Sequence, residues 1–257
     1  MTRAPSLTLN QLGLRYPAHG SAAGVVALQN ITASFPAGSF TALVGPSGCG
    51  KSSLLRVLAG LQAPTQGDMS AVTQSDIGFV FQEPTLLAWR NVYDNVALPL
   101  KIANRKSRLS AQEIDVRVSE ALTLVGLEAR AKALPRELSG GMKMRVSLAR
   151  ALAKRPPILL MDEPFAALDE LTRFRLDDDL RAIWQQQKPT ILFVTHSVTE
   201  AAYLAQRALV MRAGEIKSEI AIARPASQNQ PDNFRAAPSF HAACAAISEA
   251  LAQGERA

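Results

Sequence analysis

The chain has 257 residues, 47% of them hydrophobic and 19% charged, enough to bury one substantial core and too apolar for a disordered segment. Its net charge of +6 is spread without a dense Lys/Arg block, so the charges read as a solvated face and no nucleic-acid partner is expected. Two cysteines exclude a disulfide framework, and three histidines without paired ligand spacing argue against structural zinc. No apolar run reaches the roughly 18 residues of a membrane helix, and the start lacks a signal sequence, so a cytoplasmic chain is expected.

In chain order, "LTLNQLGLRYP" and "VVALQNITASF" read as antiparallel strands joined by "AHGSAAG". Apolar runs of strand length follow at 39–45, 76–82, 156–164, 190–196 and 207–216. They are too continuous to be half-exposed, which predicts buried strands. Segments with helical spacing lie after residue 51, from 111, from 142 and from 173, and this alternation predicts an α/β fold with a largely parallel sheet. From about 91 to 136 the chain is helical and charged with no strand between, which predicts an inserted helical subdomain, extending to about 155 with the helix that follows. Beyond Arg224 the sequence turns Pro-, Gln- and Asn-rich. "SFHAACAAISEAL" then places Phe240, Cys244, Ile247 and Leu251 on one helical face behind Ser239 as N-cap, a face expected to pack on the chain's own core. One nucleotide domain over 1–230 and a tail with a short helix over 231–257 are expected.

The first chemical signal is "GPSGCGKSS", residues 45–53. Gly45 to Ser52 match G-x-x-x-x-G-K-[ST], between an apolar strand and a helix. Such a P-loop curls its backbone so that successive N–H groups meet phosphate oxygens. The candidate nucleotide contacts are Gly45, Pro46, Ser47, Gly48, Cys49, Gly50, Lys51, Ser52 and Ser53, with Lys51 reaching the terminal phosphates and the Ser52 hydroxyl binding Mg²⁺. "ILLMDEP" ends an apolar strand in Asp162, a carboxylate for the Mg²⁺ shell, and Glu163 beside it is the candidate for polarising an attacking water. No N-K-x-D run reads guanine; Tyr16 offers an aromatic face for stacking on a base or, alternatively, packs structurally. Cys49 lies in the loop near a helix N-terminus, where thiolate is favoured, so thiol alkylation is expected to inhibit the protein and bound ATP to protect it.

A second glycine-flanked segment, "LSGGM" at 138–142, again precedes a helix. Together with the P-loop, Gln82 in "VFQEP", "MDEPFAALDE" and "VTHS" in this order, it resembles the ATP-binding subunit of ABC transporters, from about Leu7 to Arg224. The resemblance implies a P-loop ATPase core with an N-terminal antiparallel β subdomain and an inserted helical subdomain, using ATP and Mg²⁺. It also implies a head-to-tail dimer in which Ser139, Gly140 and Gly141 of one subunit cap the nucleotide held by the other. Gln82 is then the glutamine touching Mg²⁺ or water, Asp169 lines the dimer contact, His196 steadies Glu163 at the terminal phosphate, and Tyr16 takes the adenine-stacking place. "FVFQEPTLLAWRNVYDNVALPL" and "LSGGMKMRVSLARAL" look like the nitrate, sulfonate and taurine importers. That branch implies integral-membrane permease subunits, an extracytoplasmic solute-binding protein, and a place on the cytoplasmic face of the membrane. An exporter subunit or a non-transport ABC ATPase is the alternative.

Overall fold

The computed structural model describes residues 6–17, 24–70, 72–107, 109–224 and 234–253. Strands β3 (Phe40–Val44), β5 (Ile77–Val80), β6 (Ile158–Asp162), β7 (Thr190–Val194), β8 (Arg207–Arg212) and β9 (Glu215–Ala221) form one sheet in the order β5-β6-β7-β3-β8-β9. All neighbours are parallel except β8 and β9. Every residue of β3 and β7 is buried, so these strands read as unbroken apolar runs. The run at 207–216, expected as one strand, is instead a hairpin. Ala213 and Gly214 both have positive φ (47° and 80°), the two-residue turn whose twist suits antiparallel neighbours.

A second sheet is antiparallel, in the order β2-β1-β4, with β1 Leu7–Tyr16, β2 Val25–Phe35 and β4 Gln66–Met69. Strand β4 carries three exposed residues in four and so has no apolar signature. Alternate residues of the central strands serve two cores, as a period of two requires. Leu43, Leu160, Leu192 and Val194 meet the antiparallel sheet and helix α1 (Lys51–Leu58) on one face. Ala42, Leu159, Ile191 and Phe193 meet the remaining helices on the other.

Those helices are α2 (Val92–Ser107), α3 (Ala111–Leu124), α4 (Gly140–Leu152), α5 (Glu170–Gln187), α6 (Val198–Leu204) and α7 (Pro238–Ala252). Helices α2, α3 and α4 pack on one another. Helix α3 opens on a reciprocal capping box, Ser110 N–H to Glu113 Oε2 at 2.7 Å and Glu113 N–H to Ser110 Oγ at 3.2 Å. Helix α7 corrects the expected start. Its N-cap is Ala237, with Pro238 in the first turn and Ser239 already inside the helix, because proline lacks the N–H a first-turn residue does not need. The expected face holds otherwise: Phe240 and Ile247 are buried, and Cys244 and Leu251 pack against the same cluster.

Candidate functional site

The P-loop links β3 to α1 and is tied down from two sides. Gly50 caps α1 at φ 107°, and a Cβ there would lie 2.4 Å from the Ala27 carbonyl of β2, so only glycine lets the loop thread this gap. The Cys49 carbonyl accepts from the N–H of Gly214 at 3.0 Å, so the β8–β9 turn supports the loop from below. The first turn of α1 contains no acidic residue, which leaves its positive end available to an anion. Lys51 is 4% exposed, its Nζ donating to the carbonyls of Gly45 (2.8 Å) and Pro46 (2.9 Å).

Beside the loop lies a cleft of about 290 Å³ lined by Ser47, Gly48, Gly50, Lys51, Ser52, Ser53, Gln82, Glu163 and His196. Residues from four sequence segments, spread between positions 47 and 196, thus converge on one space. Ser52 Oγ donates to Asp162 Oδ1 at 2.8 Å, joining the start of α1 to the end of β6. Glu163, the next residue, has φ 46°, a left-handed conformation costly for a side chain with a Cβ. Its N–H is held by the Val194 carbonyl (3.1 Å), and its Oε1 lies 2.6 Å from His196 Nε2. The strained backbone turns the carboxylate toward the histidine at the adjacent strand end.

Some anticipated contacts stand elsewhere. Pro46 offers the cleft only its bond to Lys51, and Gly45 likewise lies under the loop. Cys49 is 5% exposed and packs in the core beneath the loop with Sγ 3.8 Å from Lys51 Nζ, so a thiol reagent meets a covered sulfur. Tyr16 is outside the cleft lining, but its hydroxyl is 3.2 Å from Ser53 Oγ and its ring packs partly on the core.

Ser139, Gly140 and Gly141 do not line this cleft. Ser139 caps α4, its Oγ accepting from Met142 N–H at 3.3 Å, and both Ser139 and Gly140 are exposed. Asp169 caps α5 by accepting from Thr172 N–H at 3.0 Å, a bond that holds its carboxyl below the usual range. The two caps adjoin. A Cβ on Gly141 would come within 2.5 Å of Thr172 Cγ2, and Arg145 of α4 pairs with Asp179 of α5 at 2.8 Å. The glycine at 141 therefore permits close packing of the two helix starts.

The comparisons agree with this geometry. The chain matches the ABC transporter family over residues 28–166, more than half of its length. This chain belongs to the ABC transporter family. It is 45% identical over 206 residues to the aliphatic sulfonates import ATP-binding protein of Escherichia coli (strain K12), covering 78% of this chain and 77% of that one. To the nitrate import ATP-binding protein of Synechocystis sp. it is 44% identical over 224 residues, 83% and 82% of the two chains. Among solved structures, a dimeric ATP-binding cassette in a post-hydrolysis state with ADP and Pi superposes with a TM-score of 0.74 at 31% identity, covering 85% of this chain and all of that one. The fold is that of an ABC ATPase, and the chain is an ATP-binding, ATP-hydrolysing member of the family.

A buried polar cluster lies behind the site, unforeseen from the sequence. Thr195, Glu200, Asp177 and Arg181 are each at most 7% exposed, and burial drives the Glu200 carboxyl upward and the Asp177 carboxyl up to about 8. The one available sign was Ser197-x-x-Glu200, a helix-start pattern following the site histidine.

Proposed function

We propose that this chain is the ATPase subunit of a membrane importer, pairing head to tail with a second copy so that each nucleotide lies between one copy's P-loop and the other's Ser139-Gly140-Gly141. The observation that carries this reading is the split: Lys51, Ser52, Gln82, Glu163 and His196 share one cleft, while the second anion-suited helix start lies outside it and exposed. Within one copy, the phosphates would draw Lys51 from its two carbonyl acceptors, trading neutral bonds for charge-assisted ones. We assign base stacking to Tyr16, a reading supported by its hydroxyl lying 3.2 Å from Ser53 Oγ.

Ser52 Oγ and Asp162 Oδ1, 2.8 Å apart with Gln82 on the same cleft, suit Mg²⁺, a hard ion that takes few protein oxygens and completes its shell with phosphate and water. No group of three or more His, Cys, Asp or Glu side chains suited to a metal occurs among the described residues, in keeping with a cation held largely by its nucleotide. Bound Mg²⁺ would offset charge on the β- and γ-phosphates. Glu163 accepts the proton of the attacking water, and His196 holds that carboxylate in place through the 2.6 Å contact.

No described helix is long and apolar enough to cross a membrane, so the membrane path would belong to permease subunits docked from the cytoplasmic side. The groove of about 340 Å³ lined by Phe79, Phe81, Leu98, Pro99 and Ile102 offers them an apolar seat next in sequence to Gln82. An extracytoplasmic binding protein would select the solute, an anion of the sulfonate or nitrate type by likeness to the two import relatives.

Mixing two defective chains tests the split site. Lys51→Ala and Ser139→Arg should each fail to form an ATP-bound dimer alone. A heterodimer keeps one intact composite site, expected to capture labelled ATP and sediment as a dimer. Capture by Ser139→Arg monomers at full turnover, without any dimer, would refute the reading.

A further inference from the structure

The start of α6 is wired unusually. In a Ser-x-x-Glu helix start the glutamate ordinarily reaches back to the N-cap amide. Here Ser197 Oγ does accept from Glu200 N–H at 3.2 Å, but the Ser197 amide donates instead to Thr195 Oγ1 at 2.9 Å. The Thr195 hydroxyl in turn donates to the Glu200 carboxylate. Glu200 thereby grips both neighbours of His196, and it does so from a nearly water-free position, 4% exposed like Thr195 itself.

The second oxygen of Glu200 faces Arg173 of α5. Arg173 Nε lies 3.4 Å from Glu200 Oε1, yet that nitrogen is buried without a hydrogen-bond partner among the described residues. Another nitrogen of the same guanidinium donates to the Leu168 carbonyl at 2.9 Å, immediately before Asp169. One rigid fork thus spans two segments: the helix start at 168–172, against which Gly141 packs, and the turn that carries His196. Asp177 and Glu163 also lie close enough to act on Glu200 by charge; Arg173 is the cation that answers Glu200 directly, while Arg235 lies against Asp177.

We propose that Arg173 and Glu200 are positioning residues that hold the His196 turn in register with the Leu168–Asp169 segment, so that closure of a second subunit is transmitted to the Glu163–His196 pair. An unmet buried donor beside its acceptor supplies the drive, because a small shift of the 168–172 segment completes a charge-assisted bond that is otherwise missing. The inference rests on the roles given to His196 and Asp169 under the proposed function.

The test is steady-state ATP hydrolysis by the dimer-competent protein, with ATP binding and melting temperature measured alongside. Glu200→Gln and Arg173→Met are each expected to lower kcat about tenfold while KM stays within about twofold, the signature of a contact felt in the transition state rather than in binding. In a His196→Ala background neither change should lower the residual rate further, whereas a purely structural defect would add to it. Arg173→Lys, which keeps the charge and loses the fork, should recover part of the rate; it also serves if Glu200→Gln does not fold. Variants that shift melting alone, or whose effects add to His196→Ala, overturn the inference. If His196→Ala is inactive while both pair variants turn over normally, this inference alone falls; if His196→Ala turns over normally, the underlying site assignment falls with it.

Discussion

Glu163 allows a separation of strain from chemistry. Its φ of 46° puts a Cβ in the left-handed region, a cost of about 1–2 kcal/mol that glycine does not bear. Glycine gives back roughly 0.5–1 kcal/mol through its freer unfolded chain. Glu163→Gly should therefore be more stable than Glu163→Ala by about 0.5–1 kcal/mol, and since 1 kcal/mol moves Tm by about 2–4 °C at this chain size, the difference is on the order of 1–4 °C. Both variants lose the carboxylate 2.6 Å from His196 Nε2, so both should lose hydrolysis by about a hundredfold or more. Differential scanning calorimetry at one fixed nucleotide concentration measures the first quantity, and phosphate release measures the second. An alanine variant melting at or above the glycine variant would show that the left-handed strain is no larger than glycine's entropic cost and would refute the estimate. Hydrolysis preserved in either would remove Glu163 as the group that activates water.

Three other outcomes are open to measurement. Gly141→Ala should cost about 1–3 kcal/mol by overpacking against Thr172, while Gly140→Ala, whose Cβ would sit an ordinary 3.5 Å from Leu168 Cδ2, should leave Tm unchanged and impair only turnover; equal melting of the two would contradict the packing. Asp177, with its carboxyl raised from 3.8 to about 8, holds a proton in the folded chain that the unfolded chain releases, so it makes stability fall as pH rises between those values. Asp177→Asn should flatten that part of the Tm–pH curve and gain on the parent from pH 6 to 8; an unchanged slope would refute the assignment. Maleimide should label Cys244, which is half-buried, before Cys49, which is covered, and Mg-ATP should slow Cys49 further, as peptide mass mapping would show.

The sheet was readable because its strands are buried on both faces: "TILFV" and "FTALV" leave no residue for water and so admit no other pattern. The hairpin at 207–216 was hidden because Ala213 takes a positive φ that its type does not announce. Strand β4 and helix α6 both escaped because they are short, the strand being polar as well and the helix only seven residues long. At the site, the P-loop pattern carried its own structural context. Glu163 was nameable from the acidic end of an apolar strand and His196 only as a member of an ordered motif set, and the structure brings them to 2.6 Å. What the sequence hid was the Arg173–Glu200 connection, since two charged residues 27 positions apart on different helices leave no periodic trace.

The segment leading into the last helix is fastened by arginines seated over aromatic rings. The Arg235 guanidinium sits 3.6 Å from the centre of the Tyr203 ring and bonds Asp178 at 2.9 Å, and Arg224 lies 3.6 Å from the centre of the Phe234 ring. Arg235 also comes within 3.5 Å of Asp177. A protein trimmed after residue 224 would leave Asp178 without that counter-charge and uncover Tyr203. The far end of the chain is therefore a clamp on the very helices that carry Asp169 and follow His196, and it adds Phe234, Phe240 and Ile247 to the core they share.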